Sequence, residues 1–163
     1  MQSNAVTSVY VETSIVSYLR ERTTDQIIAA ARQVHTRRWW SSERHLYDLY
    51  ISRFVIDEAS LGAEELAAAR LKALTGIPSL ELSEAVFELG NKLIKRAVLP
   101  EKANVDALHI ATAAVHRIDY LLTWNCKHIA NALIVPKVNL IIRDMGFTPP
   151  YICTPEELLS DDK

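Results

Sequence analysis

Short apolar runs alternate along the chain with stretches in which apolar residues recur every three or four positions, the pattern of strands separated by amphipathic helices. Val9-Tyr10-Val11 predicts a strand, and Thr13 or Ser14 can cap a helix that runs to Leu19. A long helix rich in Ala and Ile follows over residues 25–40. Residues 46–54 read as a helix end and then a short strand around Tyr50 and Ser52. Asp57-Glu58 opens a helical turn that Gly62 closes, and residues 64–74 form a helix stopped by Gly76. Residues 77–82 are the next strand, with Pro78 near its start. Ser83 caps a helix to Ala97 whose Val86, Leu89, Leu93 and Ile94 share one face, and a further helical region runs from Leu99-Pro100 to His116. Tyr120 to Thr123 predicts a buried strand, residues 138–145 a helix closed by Gly146, and Tyr151-Ile152-Cys153 a final strand.

Strands separated by helices require crossover connections, so the class is α/β: a mainly parallel central sheet with helices on both faces, in three layers. Ligands in such folds bind at the carboxyl ends of strands, where the strand order switches. No repeat, low-complexity tract or linker breaks the pattern. One domain over 1–163 is expected, with a core of about 9–159 and short tails before about Thr7 and after Ser160.

Composition narrows the function classes. The 163 residues are 49% hydrophobic and 23% charged, enough to build a core without disulfides or structural zinc. Cys126 and Cys153 form no C-x-x-C pairing and suggest reduced thiols in a cytoplasmic protein. The first residues, MQSNAVTSVYVE, lack the pattern of a secretory signal, and no apolar run approaches membrane-spanning length. Eighteen Lys and Arg against twenty Asp and Glu give a net charge of -2, so nucleic-acid binding would rest on local patches. One such patch spans Arg20 to Arg53, with Trp39, Trp40, Tyr47 and Tyr50 interleaved among arginines. A solvated face above a packed face is the commoner origin of such a run.

Four polar positions fall where the strand-end rule wants them: Glu12 after the first strand, Glu58 after the second, Asp106 on a helix and Asn125 after the YLLT strand. Each taken alone has an ordinary explanation. Glu12 can reach solvent from a strand end, Asp57 and Glu58 favour a helix N-terminus, Asp106 can sit on a helix flank, and Asn125 is a common turn residue. Their shared placement is what points to chemistry, because converging carboxylates repel until a hard cation such as Mg²⁺ or Mn²⁺ takes their oxygens as ligands.

VYVETSIVSYL, ISRFVIDEAS and NVDALHIATAAVHRIDYLLTWNCKHIANA together resemble the PIN domain of VapC-like toxins from bacterial toxin and antitoxin pairs, and the closing TPEELL is also similar. The resemblance extends from about Val9 to Leu159, with DALHIA and LLTWNCKHIAN its most specific segments. It implies a ribonuclease in which acidic residues hold Mg²⁺ or Mn²⁺ and water attacks an RNA phosphodiester. It places Glu12, Glu58 and Asp106 as metal ligands, Asn125 as a fourth catalytic position, and Ser14 and Thr123 as hydroxyls lining the site. Glu12 stands where the family has Asp, one C–C bond (roughly 1.5 Å) longer, and Asn125 where many members have another Asp.

The resemblance also implies an antitoxin partner and a homodimer, with exposed Trp39 and Trp40 suited to such an interface. His109, three residues after Asp106, reads as a packed helix histidine that can reach the carboxylate, and His128 as a residue fixing the loop after Asn125. The competing reading is a weakened or silent PIN module that binds RNA or a protein, motivated by Glu12. A phosphatase of the haloacid dehalogenase kind is more remote, since its first strand must deliver an Asp nucleophile.

Overall fold

The computed structural model describes residues 5–96 and 98–160. Residues 1–4 and 161–163 of the expected tails, and the expected helix end at Ala97, lie outside them. Five strands, β1 (Ser8–Val11), β2 (Asp48–Ser52), β3 (Ser79–Leu80), β4 (Tyr120–Leu122) and β5 (Tyr151–Cys153), form one sheet in the order β3-β2-β1-β4-β5. Every pairing is parallel, with Val9 opposite Leu49 on one side and Tyr120 on the other. The chain winds outward from β1 to β3 and then returns past β1 to β4, so the order reverses between β1 and β4. The carboxyl ends of those two strands form the switch-point crevice.

The crossovers are α1 (Thr13–Arg20) and α2 (Ile27–Arg38), α3 (Arg53–Ala59) and α4 (Glu64–Leu74), α5 (Glu84–Lys95) and α6 (Asn104–Val115), and α7 (Val135–Asp144). Helix α6 is buried at eight consecutive positions, Ala107 to Ala114, of which only His109 and Thr112 are polar. Gly90 on α5 lets it approach α6: a Cβ there would lie 2.8 Å from Leu108 Cδ2. This close packing fixes the helix that carries Asp106 and His109.

Several elements differ from their sequence-based outlines. Helix α2 ends at Arg38, and the chain widens into a π turn over Trp39–Glu43 and then a 3₁₀ turn over Arg44–Leu46. The widened turn swings Trp39 inward, where it is fully buried and stacks on Tyr47 with centroids 5.9 Å apart. Trp39 is therefore a core residue, not an exposed interface residue. Strand β2 starts at Asp48 because its N–H reaches Thr7 O, extending the pairing with β1. Helix α3 begins directly after β2, so Asp57 and Glu58 sit in its last turns rather than its first. Strand β3 pairs over only two residues; Pro78 just before it has no N–H to donate, and its partner is the β2 edge. Helix α7 starts at Val135, three residues early, with Pro136 in its first turn, where a missing donor costs nothing.

Candidate active site

Glu12 follows β1 directly and its backbone N–H still reaches Leu122 O of β4 at 3.1 Å, which holds it in the switch-point crevice. Its side chain is the N-cap of α1: Oε2 accepts from Ser14 N–H at 3.2 Å. The same oxygen accepts from the Ser14 hydroxyl and from Thr123 Oγ1 at 2.7 Å. Those hydroxyls are themselves fixed, since Ser14 Oγ accepts from Trp124 N–H at 2.8 Å and Thr123 Oγ1 from Asn125 N–H at 2.9 Å. Three donors on one oxygen satisfy a carboxylate that is only 5% exposed. Among the described residues no donor reaches Oε1, which leaves that oxygen for a ligand.

Glu58 arrives from the last turn of α3, whose end is secured by Arg70 donating to Ala59 O at 3.0 Å and to Leu61 O. Glu58 Oε1 accepts from Thr13 Oγ1 at 2.8 Å and lies 2.6 Å from His109 Nε2 of α6. His109 is fully buried, and its Nδ1 lies 2.7 Å from the Tyr10 hydroxyl, which lies 2.7 Å from Ser52 Oγ. Burial pushes the Glu58 carboxyl up, but the His109 hydrogen bond and charge, with Thr13, outweigh it and leave the pKa below its ordinary value. Burial pushes the Tyr10 phenol far up, so it keeps its proton. Ser52, Tyr10, His109 and Glu58 thus form one continuous hydrogen-bonded chain beneath the crevice.

Glu12, Glu58 and His109 each present a ligand atom within 4.8 Å of the other two. Two carboxylates and an imidazole make a mixed oxygen and nitrogen donor set suited to a divalent transition ion. Asp106, expected as the third carboxylate, lies outside that group: its Oδ2 is 2.9 Å from His128 Nδ1. Asn125 Oδ1 accepts from His128 N–H at 3.0 Å and so shapes the loop that carries His128. Ser14 and Thr123 orient Glu12 itself. His109 is the participant that sequence reasoning left aside; its spacing from Asp106 was visible, but its alignment with Tyr10 and Glu58 depends on three separate elements.

The PIN domain family model matches residues 9–127, the stretch that contains every residue of this cluster. The chain belongs to the PIN domain family. This PIN domain is also similar in fold to a chain in the crystal structure of VapBC2 from Rickettsia felis bound to a DNA fragment from their promoter. The TM-score is 0.52 at 15% identity, over 90% of this chain and 98% of the other. No curated protein sequence matches significantly. Among the described residues of this PIN domain, no helix is long and apolar enough to cross a membrane.

Proposed function

We infer that this PIN domain is a metal-dependent endoribonuclease, a VapC-like toxin held in the cytoplasm by an antitoxin and acting as a homodimer. The convergence of Glu12, Glu58 and His109 in the switch-point crevice carries this reading. Glu12 Oε1, Glu58 and His109 would hold the ion, and their mixed donors suit Mn²⁺ at least as well as Mg²⁺. A divalent ion supplies charge neutralisation at the phosphate and makes bound water acidic. Ser14 and Thr123 keep the Glu12 carboxylate from rotating away. Asp106 lies one helical turn before His109 on α6, and its pairing with His128 fits it to accept a proton from attacking water. Asn125 acts by placing His128.

The silent-module alternative drew on the longer side chain of Glu12. The donors that gather Glu12 toward Glu58 and His109 support the active reading instead. Cleavage of single-stranded RNA with Mn²⁺ or Mg²⁺ tests it, beside Glu12→Gln, Glu58→Gln and Asp106→Asn. Each variant should lose about a hundredfold or more in rate while keeping the native circular dichroism. A native chain that leaves RNA intact with either ion, or a Glu58→Gln variant that cuts as well as native, overturns the reading.

A further inference from the structure

Several arginines flanking the crevice are already committed. Arg37 donates to Glu21 O at 3.0 Å and Leu19 O at 3.4 Å, closing the C-terminus of α1; Arg53 pairs with Asp57 at 2.6 Å, and Arg70 holds the end of α3. Arg32 of α2 differs. Its guanidinium lies over the Tyr18 ring at 5.7 Å and the Trp124 ring at 5.3 Å, and among the described residues it hydrogen-bonds only to Tyr18 Oη at 3.2 Å and Cys126 Sγ at 3.8 Å. Among the described residues no carboxylate lies within 4.0 Å of it. Trp124 is itself locked, its indole N–H donating to Thr36 Oγ1 at 2.7 Å one turn along α2. Two aromatic faces thus hold a charged, planar, five-donor group in one place without neutralising it.

The position is as telling as the chemistry. Trp124 and Cys126 follow the carboxyl end of β4, and Trp124 N–H donates to the Ser14 hydroxyl that holds Glu12. Tyr18 is four residues after Ser14 on α1, about 6 Å along one helix face. Beside Arg32 opens a cavity of about 400 Å³ walled by Ile27, Ile28, Ala31, His35, Trp124 and Glu156. That volume is within the range of small-ligand clefts, roughly 300–1,000 Å³. One side of the cavity is apolar, from Ile27, Ile28 and Ala31, while His35 and Glu156 complete its lining and the Arg32 guanidinium stands at its edge beside Trp124; this suits a nucleotide, with a base against Ile27 and Ile28 and a phosphate on Arg32.

We propose that Arg32, resting against the rings of Tyr18 and Trp124, binds the phosphate of the nucleotide flanking the scissile bond in single-stranded RNA, and that the adjoining cavity receives that nucleotide's base. This rests on the RNA hydrolase reading above. The test measures anisotropy of a fluorescent single-stranded RNA octamer on the full chain, with Ca²⁺ replacing Mn²⁺, across a salt series. Steady-state cleavage with Mn²⁺ accompanies it. Arg32→Gln should bind about tenfold more weakly and lose about 0.7 from the slope of log K against log salt. It should raise KM rather than lower kcat. Arg32→Lys, which keeps the charge but not the two-pronged geometry, should fall between, and Lys95→Gln on α5 should match native. Melting curves confirm that each variant is folded.

RNA bound and cut by the native chain, with Arg32→Gln unchanged in affinity, slope and KM, overturns this inference alone. A native chain that neither binds nor cuts RNA removes the hydrolase reading and this inference together. Unaltered RNA binding by Arg32→Gln combined with weakened binding of a polyglutamate peptide also overturns it, in favour of an acidic protein partner.

Discussion

The Tyr10 hydroxyl supports the site from beneath, and replacing Tyr10 with Phe isolates its contribution. Phe fills the same volume, so no cavity complicates the outcome. The hydroxyl sits 2.7 Å from Ser52 Oγ and 2.7 Å from His109 Nδ1, and both partners are fully buried. Its loss orphans a hydroxyl and a ring nitrogen where water cannot replace it, at about 1–3 kcal/mol each. Removing the desolvated phenol itself returns part of that, which leaves a net destabilisation of about 2–4 kcal/mol. In a chain of this size each kcal/mol lowers Tm by about 2–4 °C, so a fall of roughly 5–15 °C is expected. Urea unfolding followed by circular dichroism measures the free energy directly, with an unchanged m-value showing that only the native state was altered. Calorimetric titration with Mn²⁺ supplies a second readout: an imidazole that has lost its anchor should weaken binding about tenfold or more. Tyr120→Phe serves as the control, since among the described residues its hydroxyl has no hydrogen-bond partner. A Tyr10→Phe change below about 0.5 kcal/mol with unaltered Mn²⁺ affinity would refute the reasoning that His109 is held through Tyr10.

Glu12→Asp should weaken Mn²⁺ binding about tenfold in calorimetry, because retracting the carboxylate by roughly 1.5 Å takes it out of reach of an ion shared with Glu58 and His109; tighter binding would show that the native Glu is the handicap. The low pKa of Glu58 contributes stability that is present above its ordinary value near 4.5 and lost as pH falls through the lower folded value. The native and Glu58→Gln chains, unfolded in urea between pH 2 and 6, should therefore differ in slope there; parallel curves would contradict the assignment. Burial raises the Cys153 thiol to about 12 while Cys126 is exposed, so iodoacetamide near neutral pH should label Cys126 and spare Cys153 until the chain unfolds, as read by peptide mass spectrometry. Equal labelling of both in the native state would contradict the burial of β5.

The alternation of apolar runs and amphipathic periods determined the α/β class and the parallel sheet, because period 2 and period 3.6 are local properties that survive without knowledge of the fold. Glu64–Leu74 and Tyr151–Cys153 have the outlines their sequences predict, since Gly76 and the residues flanking each element mark the ends locally. The strand-end rule likewise placed Glu12 and Glu58 near one crevice from position alone. Tertiary structure decided what local signals do not carry. The π turn after Arg38 exists because Trp39 packs against Tyr47, a contact no local pattern predicts. Glu58 lies at the end of α3 rather than its start because β2 runs straight into that helix. The third member of the cluster is His109 and not Asp106 because Tyr10, from β1, Glu58, from α3, and the close approach of α6 to α5 aim the imidazole inward, while His128 draws the Asp106 carboxylate aside. A carboxylate at the end of β1 is written in the sequence; which groups gather around it is set by distances between elements far apart along the chain.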